Sequence, residues 1–171
     1  VAQQAIREYG QPLPANDPMS VRVRAIGQQF ARLSTRKNIP YSYTVLANDE
    51  VLNAFAAPGG PVFVTRRLVN TTANDAELAY VLGHETGHIE RQHAVKAAEK
   101  QQKVGLAVGI LGAILGGSKG NVVGTIASVG WTFISSGYSR DDEREADISG
   151  TRWMSQLGYE PQAAITMLGK L

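Results

Sequence analysis

The stretch GHETGHIERQH, Gly83 to His93, decides how this chain is read. The protein has three histidines among its 171 residues, and all three lie within these eleven positions. Upstream, Asn74 is a good helix N-cap, and Glu77 follows three residues later as a capping box requires. No helix breaker interrupts the pattern until about Gln102. The sequence therefore predicts one long helix from Asn74, with the histidines in its middle. Gly83 and Gly87 each cost about 1 kcal/mol there relative to alanine. They imply close approach of another backbone or of a ligand.

Within that helix His84-Glu85-Thr86-Gly87-His88 forms H-E-x-x-H. Residues four apart share one helix face, about 6 Å apart along the axis, so both imidazoles can reach one ion. Neutral imidazole is a good ligand for zinc. Glu85 is rotated away from the two histidines, yet it can lean toward a water on the metal, take its proton and pass it to a leaving amine. The plainer reading is two histidines on a solvated face. With histidine this scarce, H-E-x-x-H arises by chance on the order of once in a few hundred chains. Leu82 and Ile89 also flank the motif with apolar side chains.

A catalytic zinc takes three protein ligands and keeps one position open. His93 lies five residues after His88, and on a continuous helix it turns away from the metal face. It reads as a structural or surface residue. The segment SRDDEREAD, Ser139 to Asp147, offers carboxylates instead. Glu143 and Asp147 are four apart on one face of a helix capped by Ser139 and Asp142. That spacing suits Glu143 on zinc and Asp147 on the free N–H of a ligating imidazole. A solvated acidic helix start is the alternative, favoured by the helix dipole.

Around these helices the chain punctuates clearly. Residues 1–9 read as a short helix and 11–18 as a proline-rich loop. Apolar residues at Val23, Ile26, Phe30 and Leu33 mark a helix from Ser20 to Lys37. YSYTVLAN, Tyr41 to Asn48, alternates as a strand. Residues Asn53 to Val69 read as two short strands around Pro58-Gly59-Gly60-Pro61, hence a small antiparallel sheet. The helix after Ser139 carries Ala146, Gly150, Trp153 and Leu157 on one stripe and ends at Gly158. A last short helix follows Pro161. The whole chain reads as a single α+β domain, 1–171, mostly helical.

Composition narrows the function. Hydrophobic residues make up 43% and charged residues 19%, an ordinary globular balance. A net charge of +2 without a basic cluster argues against nucleic acid. The absence of cysteine excludes a disulfide framework, thiolate metal ligands and a cysteine nucleophile. Starting at Val1, the chain reads as a processed or shortened form.

NAFAAPGG, HETGH and SRDDEREAD, in that order and spacing, resemble the zinc metalloendopeptidases related to HtpX, the CAAX prenyl protease and the Oma-type proteases. The likeness is greatest to the soluble BepA-like bacterial branch and runs from about Ser20 to Leu171. It implies a gluzincin-like fold with one Zn2+ per chain. It implies His84, His88 and Glu143 as ligands, Glu85 as catalytic base and Asp147 as the acid behind a ligand. Asn53, Ala54, Phe55 and Ala56 resemble the edge strand that pairs with the substrate backbone, and an exposed edge does bind extended peptides by strand addition. A plain buried strand is the alternative for that segment. Polypeptide substrates, misfolded or misassembled envelope proteins, and a periplasmic or envelope location follow from the same likeness, as does continuation into helical repeats. A zinc-stabilised chaperone or binding module with a blocked site is the alternative function.

The chain departs from the family in three ways. Thr86 stands where an aliphatic residue is usual. No histidine follows Glu143 to stabilise an oxyanion, which leaves Tyr138, Arg140 or a residue past Leu171. The apolar, glycine-rich segment 104–136 is too short in its uninterrupted part, Val104 to Gly117, for the roughly 20 residues of a membrane span. Its small-xxx-small spacings suit a packed helical hairpin between the two metal-binding helices. Contact with a membrane or an outer-membrane protein is the other reading of 104–136.

Overall fold

The computed structural model describes residues 2–114 and 138–171. The architecture is α+β. Helices α1 (Ala2–Tyr9) and α2 (Pro18–Leu33) precede strand β1 (Ser42–Leu46). Strands β2 (Ala54–Ala56) and β3 (Pro61–Thr65) follow, then helices α3 (Arg66–Thr71), α4 (Asp75–Arg91) and α5 (His93–Ile114). The last helices described are α6 (Arg140–Gln156) and α7 (Ala163–Leu168).

The three strands form one sheet in the order β1-β3-β2. The β2–β3 hairpin is antiparallel, as the turn sequence predicts, with Phe55 opposite Phe63. β1 joins the other side of β3 in parallel, Thr44 opposite Phe63, so the sheet is mixed rather than purely antiparallel. A parallel neighbour requires a crossover, which the hairpin turn cannot supply. Residues 47–60 return the chain across the sheet. The segment after Thr65 is helix α3 rather than the rest of a strand. Thr65 caps it by accepting from the Leu68 N–H.

Side chains alternate across the sheet with the strand period. Tyr43, Val45, Ala56, Val62 and Val64 face the main core, with Phe30, Leu78, Leu82 and Met154. Leu46, Phe55, Ala57 and Phe63 face the opposite side and are covered by Ala5 of α1. The sheet thus lies between α1 and the larger helical layer.

Helix α4 runs through the centre of that layer and is buried from Glu77 to Gly83 and again from Glu85 to Ile89. Asn74 caps it through the Glu77 N–H. The Glu77 carboxylate takes a different course from a simple capping box. It accepts from the Ala73 N–H, the Thr166 hydroxyl and the Lys170 ammonium, tying the start of α4 to the C-terminal segment.

The predicted long helix is two helices. Gln92 adopts the left-handed conformation, φ 60° and ψ 33°, and ends α4, and α5 begins at His93. A non-glycine residue in that conformation costs about 1 kcal/mol or more. No glycine or proline announces the break, so periodicity alone runs through it. α5 reaches Ile114, and residues 115–136 of the predicted apolar hairpin lie outside the described residues. Among the described residues, no helix is long and apolar enough to cross a membrane.

Candidate active site

The site is made where α4 and α6 touch. A Cβ on Gly87 would lie 3.0 Å from the carbonyl oxygen of Ala146, and one on Gly150 would lie 2.8 Å from the backbone nitrogen of His84. Only glycine permits this backbone approach. It brings the acidic first turns of α6 over the H-E-x-x-H face. Ser139 and Asp142 form the reciprocal capping box that starts α6 and sets its orientation.

Three side chains converge as a result. His84 Nε2 lies 3.0 Å from His88 Nε2. Glu143 Oε2 is 3.3 Å from His84 Nε2, and its Oε1 is 3.6 Å from His88 Nε2. Donors about 2.0–2.1 Å from a tetrahedral zinc are separated by about 3.3–3.4 Å. The observed spacings are those of such a triangle.

The opposite ring nitrogens explain why the Nε2 atoms face each other. His84 Nδ1 donates to Asp147 Oδ1 at 2.8 Å, and Tyr80 donates its hydroxyl to the same oxygen at 2.9 Å. His88 Nδ1 lies 2.8 Å from His93 Nδ1. In the metal-binding tautomer, with a proton on each Nδ1, both Nε2 lone pairs face the space shared with Glu143. The surrounding carboxylates favour positive charge at this point, as a proton on His84 or as a metal ion. Burial opposes charge on His84, but Asp147, Glu143 and Glu85 outweigh it and raise its pKa to about 10. Burial and the adjacent imidazoles depress His88 to about 2. The His84 hydrogen bond holds Asp147 below the usual carboxylate range. The donor set therefore fits a divalent metal held by His84, His88 and Glu143.

Glu85 is buried beside this triangle. Burial raises its pKa to about 7; His84 opposes that shift, Glu143 adds to it and the Ala56 backbone N–H opposes it. A carboxylate near neutrality can both accept and return a proton. Glu85 also lines a cavity of about 300 Å³ shared with His84, Glu143 and Asp147. Leu52, Leu68, Val81, Leu168 and Leu171 make its apolar wall.

Strand β2 borders the same cavity through Asn53 and Ala54. It is a sheet edge. The Thr65 N–H donates to Asn53 and the Ala57 N–H to Pro61, so odd-numbered residues of β2 bond to β3. By strand alternation Ala54 and Ala56 turn their backbone groups to the free edge. Phe55 behaves differently. Its ring packs on Tyr9 and Phe63 on the α1 side, away from the cavity. The Asn53 amide donates to the Tyr9 hydroxyl.

Three further residues belong here that sequence reasoning left aside or left open. Tyr80 lies one turn before His84 on the same face, so its spacing carried a usable signal. Tyr138 stacks on the His88 ring, with centroids 4.1 Å apart. Burial and the nearby carboxylates Glu85 and Glu143 raise its pKa. His93, read as structural or superficial, is buried against His88, a contact that depends on the turn at Gln92. Thr86 is a packing residue: its hydroxyl donates to the Leu82 carbonyl and shares a hydrogen bond with the buried Tyr43 hydroxyl.

Comparison with protein families matches residues 19–171 to peptidase family M48. The chain belongs to that family. It is 33% identical over 165 residues to the beta-barrel assembly-enhancing protease of Yersinia pestis and 32% identical over 165 residues to that of Escherichia coli K12. Each match covers 91% of this chain and 33% of the relative. The mitochondrial metalloendopeptidase OMA1 of Schizosaccharomyces pombe is 30% identical over 166 residues, which is 96% of this chain and 48% of the relative. The chain thus spans about a third of the length of the bacterial relatives it matches. The M48 match includes β2, the H-E-x-x-H helix and the Glu143 helix, and starts after α1.

Proposed function

We propose that residues 1–171 form one zinc-dependent endopeptidase domain. The observation that carries this reading is the convergence of two imidazole nitrogens and a Glu143 oxygen beside a buried carboxylate, on the wall of a cavity bordered by the edge strand β2. His84, His88 and Glu143 would hold one Zn2+, since two imidazoles and one carboxylate suit that ion. Zinc bound there would polarise the scissile carbonyl and acidify a water.

The chain's own groups do the rest. A substrate peptide lies antiparallel or parallel along the edge of β2, using the Ala54 N–H and C=O. Asn53 and Ala56 close the two ends of that stretch. Phe55 contributes by holding the strand against α1. Glu85 takes a proton from the attacking water as the oxygen–carbon bond forms, then delivers it to the amine nitrogen as the carbon–nitrogen bond breaks. Tyr138, already held against His88, donates to the developing oxyanion. Asp147 keeps the His84 ring in place, with Tyr80 behind it.

The substrates are misfolded or misassembled envelope polypeptides and the location is the bacterial periplasm. The family resemblance supports this, and the name of the bacterial relatives, beta-barrel assembly-enhancing protease, supports a protein substrate. Segment 104–136 is the proposed point of contact with a membrane or an outer-membrane protein. The test of the chemistry is Glu85→Gln. This variant keeps the metal and loses casein hydrolysis, because the amide cannot accept the proton. Casein hydrolysis at the wild-type rate by a metal-loaded Glu85→Gln protein overturns the assignment of the base.

A further inference from the structure

We propose that His93 is a positioning residue for the metal site: it fixes the tautomer and ring plane of His88 through an imidazole–imidazole hydrogen bond, backed by acidic side chains of α6. The inference rests on the reading of His84, His88 and Glu143 as metal ligands.

The two ligating imidazoles are anchored differently. His84 donates to a carboxylate, Asp147. His88 has no carboxylate on its Nδ1; that atom meets His93 Nδ1 at 2.8 Å. For His88 to offer its Nε2 lone pair to a metal, its Nδ1 must carry the proton and donate it. His93 Nδ1 must then be the acceptor, which places the His93 proton on Nε2. The environment matches that requirement. His93 Nε2 faces Glu145 Oε2 at 3.4 Å and Asp142 Oδ1 at 3.6 Å, both acceptors. A carboxylate at one end and a metal ligand at the other select one tautomer for both rings.

The backbone supports the same conclusion. On a continuous helix, a residue five positions after His88 points about 140° away from it. The left-handed Gln92 removes that angle and delivers His93 to the buried side of His88. His93 is 2% exposed there, and Tyr138 stacks on the His88 ring and lies tilted against His93. A buried imidazole with both nitrogens engaged, reached through a disfavoured backbone conformation, is more than core filling. The two anchors differ in kind: a carboxylate behind His84 and an imidazole behind His88.

The experiment measures zinc dissociation constants by competition with a chelator of known affinity, together with the melting temperature of the metal-free protein. His93→Phe keeps a planar ring and removes the acceptor; zinc binding weakens by about 10- to 100-fold. His93→Gln restores an acceptor oxygen and recovers part of that loss. Unchanged zinc affinity in a folded His93→Phe overturns the proposal. So does a Gln variant no better than Phe. If His93→Phe does not fold, nitrogen-resolved NMR of the imidazoles in the zinc-loaded wild type decides: protons on His88 Nδ1 and His93 Nε2 support the relay, and a proton on His93 Nδ1 overturns it. Failure of the wild type to bind zinc, or wild-type zinc affinity in His88→Ala, would instead remove the underlying metal-site reading.

Discussion

Gly150 of α6 lies against the backbone nitrogen of His84, so close that a Cβ there would stand 2.8 Å from it. The atom is backbone, not the end of a flexible side chain, so one of the two helices must move. Gly150→Ala therefore pushes Glu143 and Asp147 away from the histidines. The overpacking costs about 1–3 kcal/mol of stability. Denaturant melts and zinc titration of the same variant check both effects. Unchanged zinc affinity would show that the helix contact does not set the metal geometry.

Removing the Glu143 carboxylate takes away the one oxygen donor of the triangle. Glu143→Ala retains its fold, because the side chain is 45% exposed. Zinc affinity falls by more than about 100-fold, beyond the range expected for loss of a group behind a ligand. Metal content by mass spectrometry after dialysis reads the difference. Equal zinc in variant and wild type would eliminate Glu143 as a ligand.

Ala54 turns its N–H to the free edge of β2, where a proline removes no ladder hydrogen bond. Ala54→Pro removes one donor to an extended substrate and leaves the ladder to β3 intact. Loss of one such bond, worth about 1–1.5 kcal/mol, lowers kcat/KM roughly tenfold with little change in melting temperature. A wild-type kcat/KM in this variant would exclude strand addition along β2.

Glu77 links α4 to the C-terminal segment from inside the protein, with a side chain 3% exposed. Burial alone would raise its pKa, but Lys170, the Ala73 N–H and Thr166 outweigh it and hold it below 4.5. A lowered folded pKa means that the stabilisation is complete above about 4.5 and is lost as pH falls through the folded value. Glu77→Gln lowers stability by about 2 kcal/mol near neutrality, where Lys170 is left without its charge partner. The gap between variant and wild type closes as pH drops below 4.5. Melting curves at pH 7 and pH 3.5 measure it; a gap of equal size at both would show that charge is irrelevant at this position.

Relations within one helical turn were legible without coordinates. His84 and His88 share a face because 3.6 residues complete a turn, and Glu143 pairs with Asp147 for the same reason. Asn74, Ser139 and Gly158 mark helix ends through local backbone chemistry. The β2–β3 hairpin follows from its turn residues and its alternation. These features depend on spacing along the chain, which sequence displays directly.

Other features are decided by contacts between residues far apart, and spacing carries no information about those. The parallel attachment of β1 to β3, the turning of Phe55 toward α1 and the reach of Glu77 to Lys170 are of this kind. The turn at Gln92 is the sharpest case. Glutamine has no intrinsic preference for the left-handed region, so nothing local predicts it. The fit of His93 between His88 and α6 offsets that conformation, and this fit exists only once α4 and α6 have met.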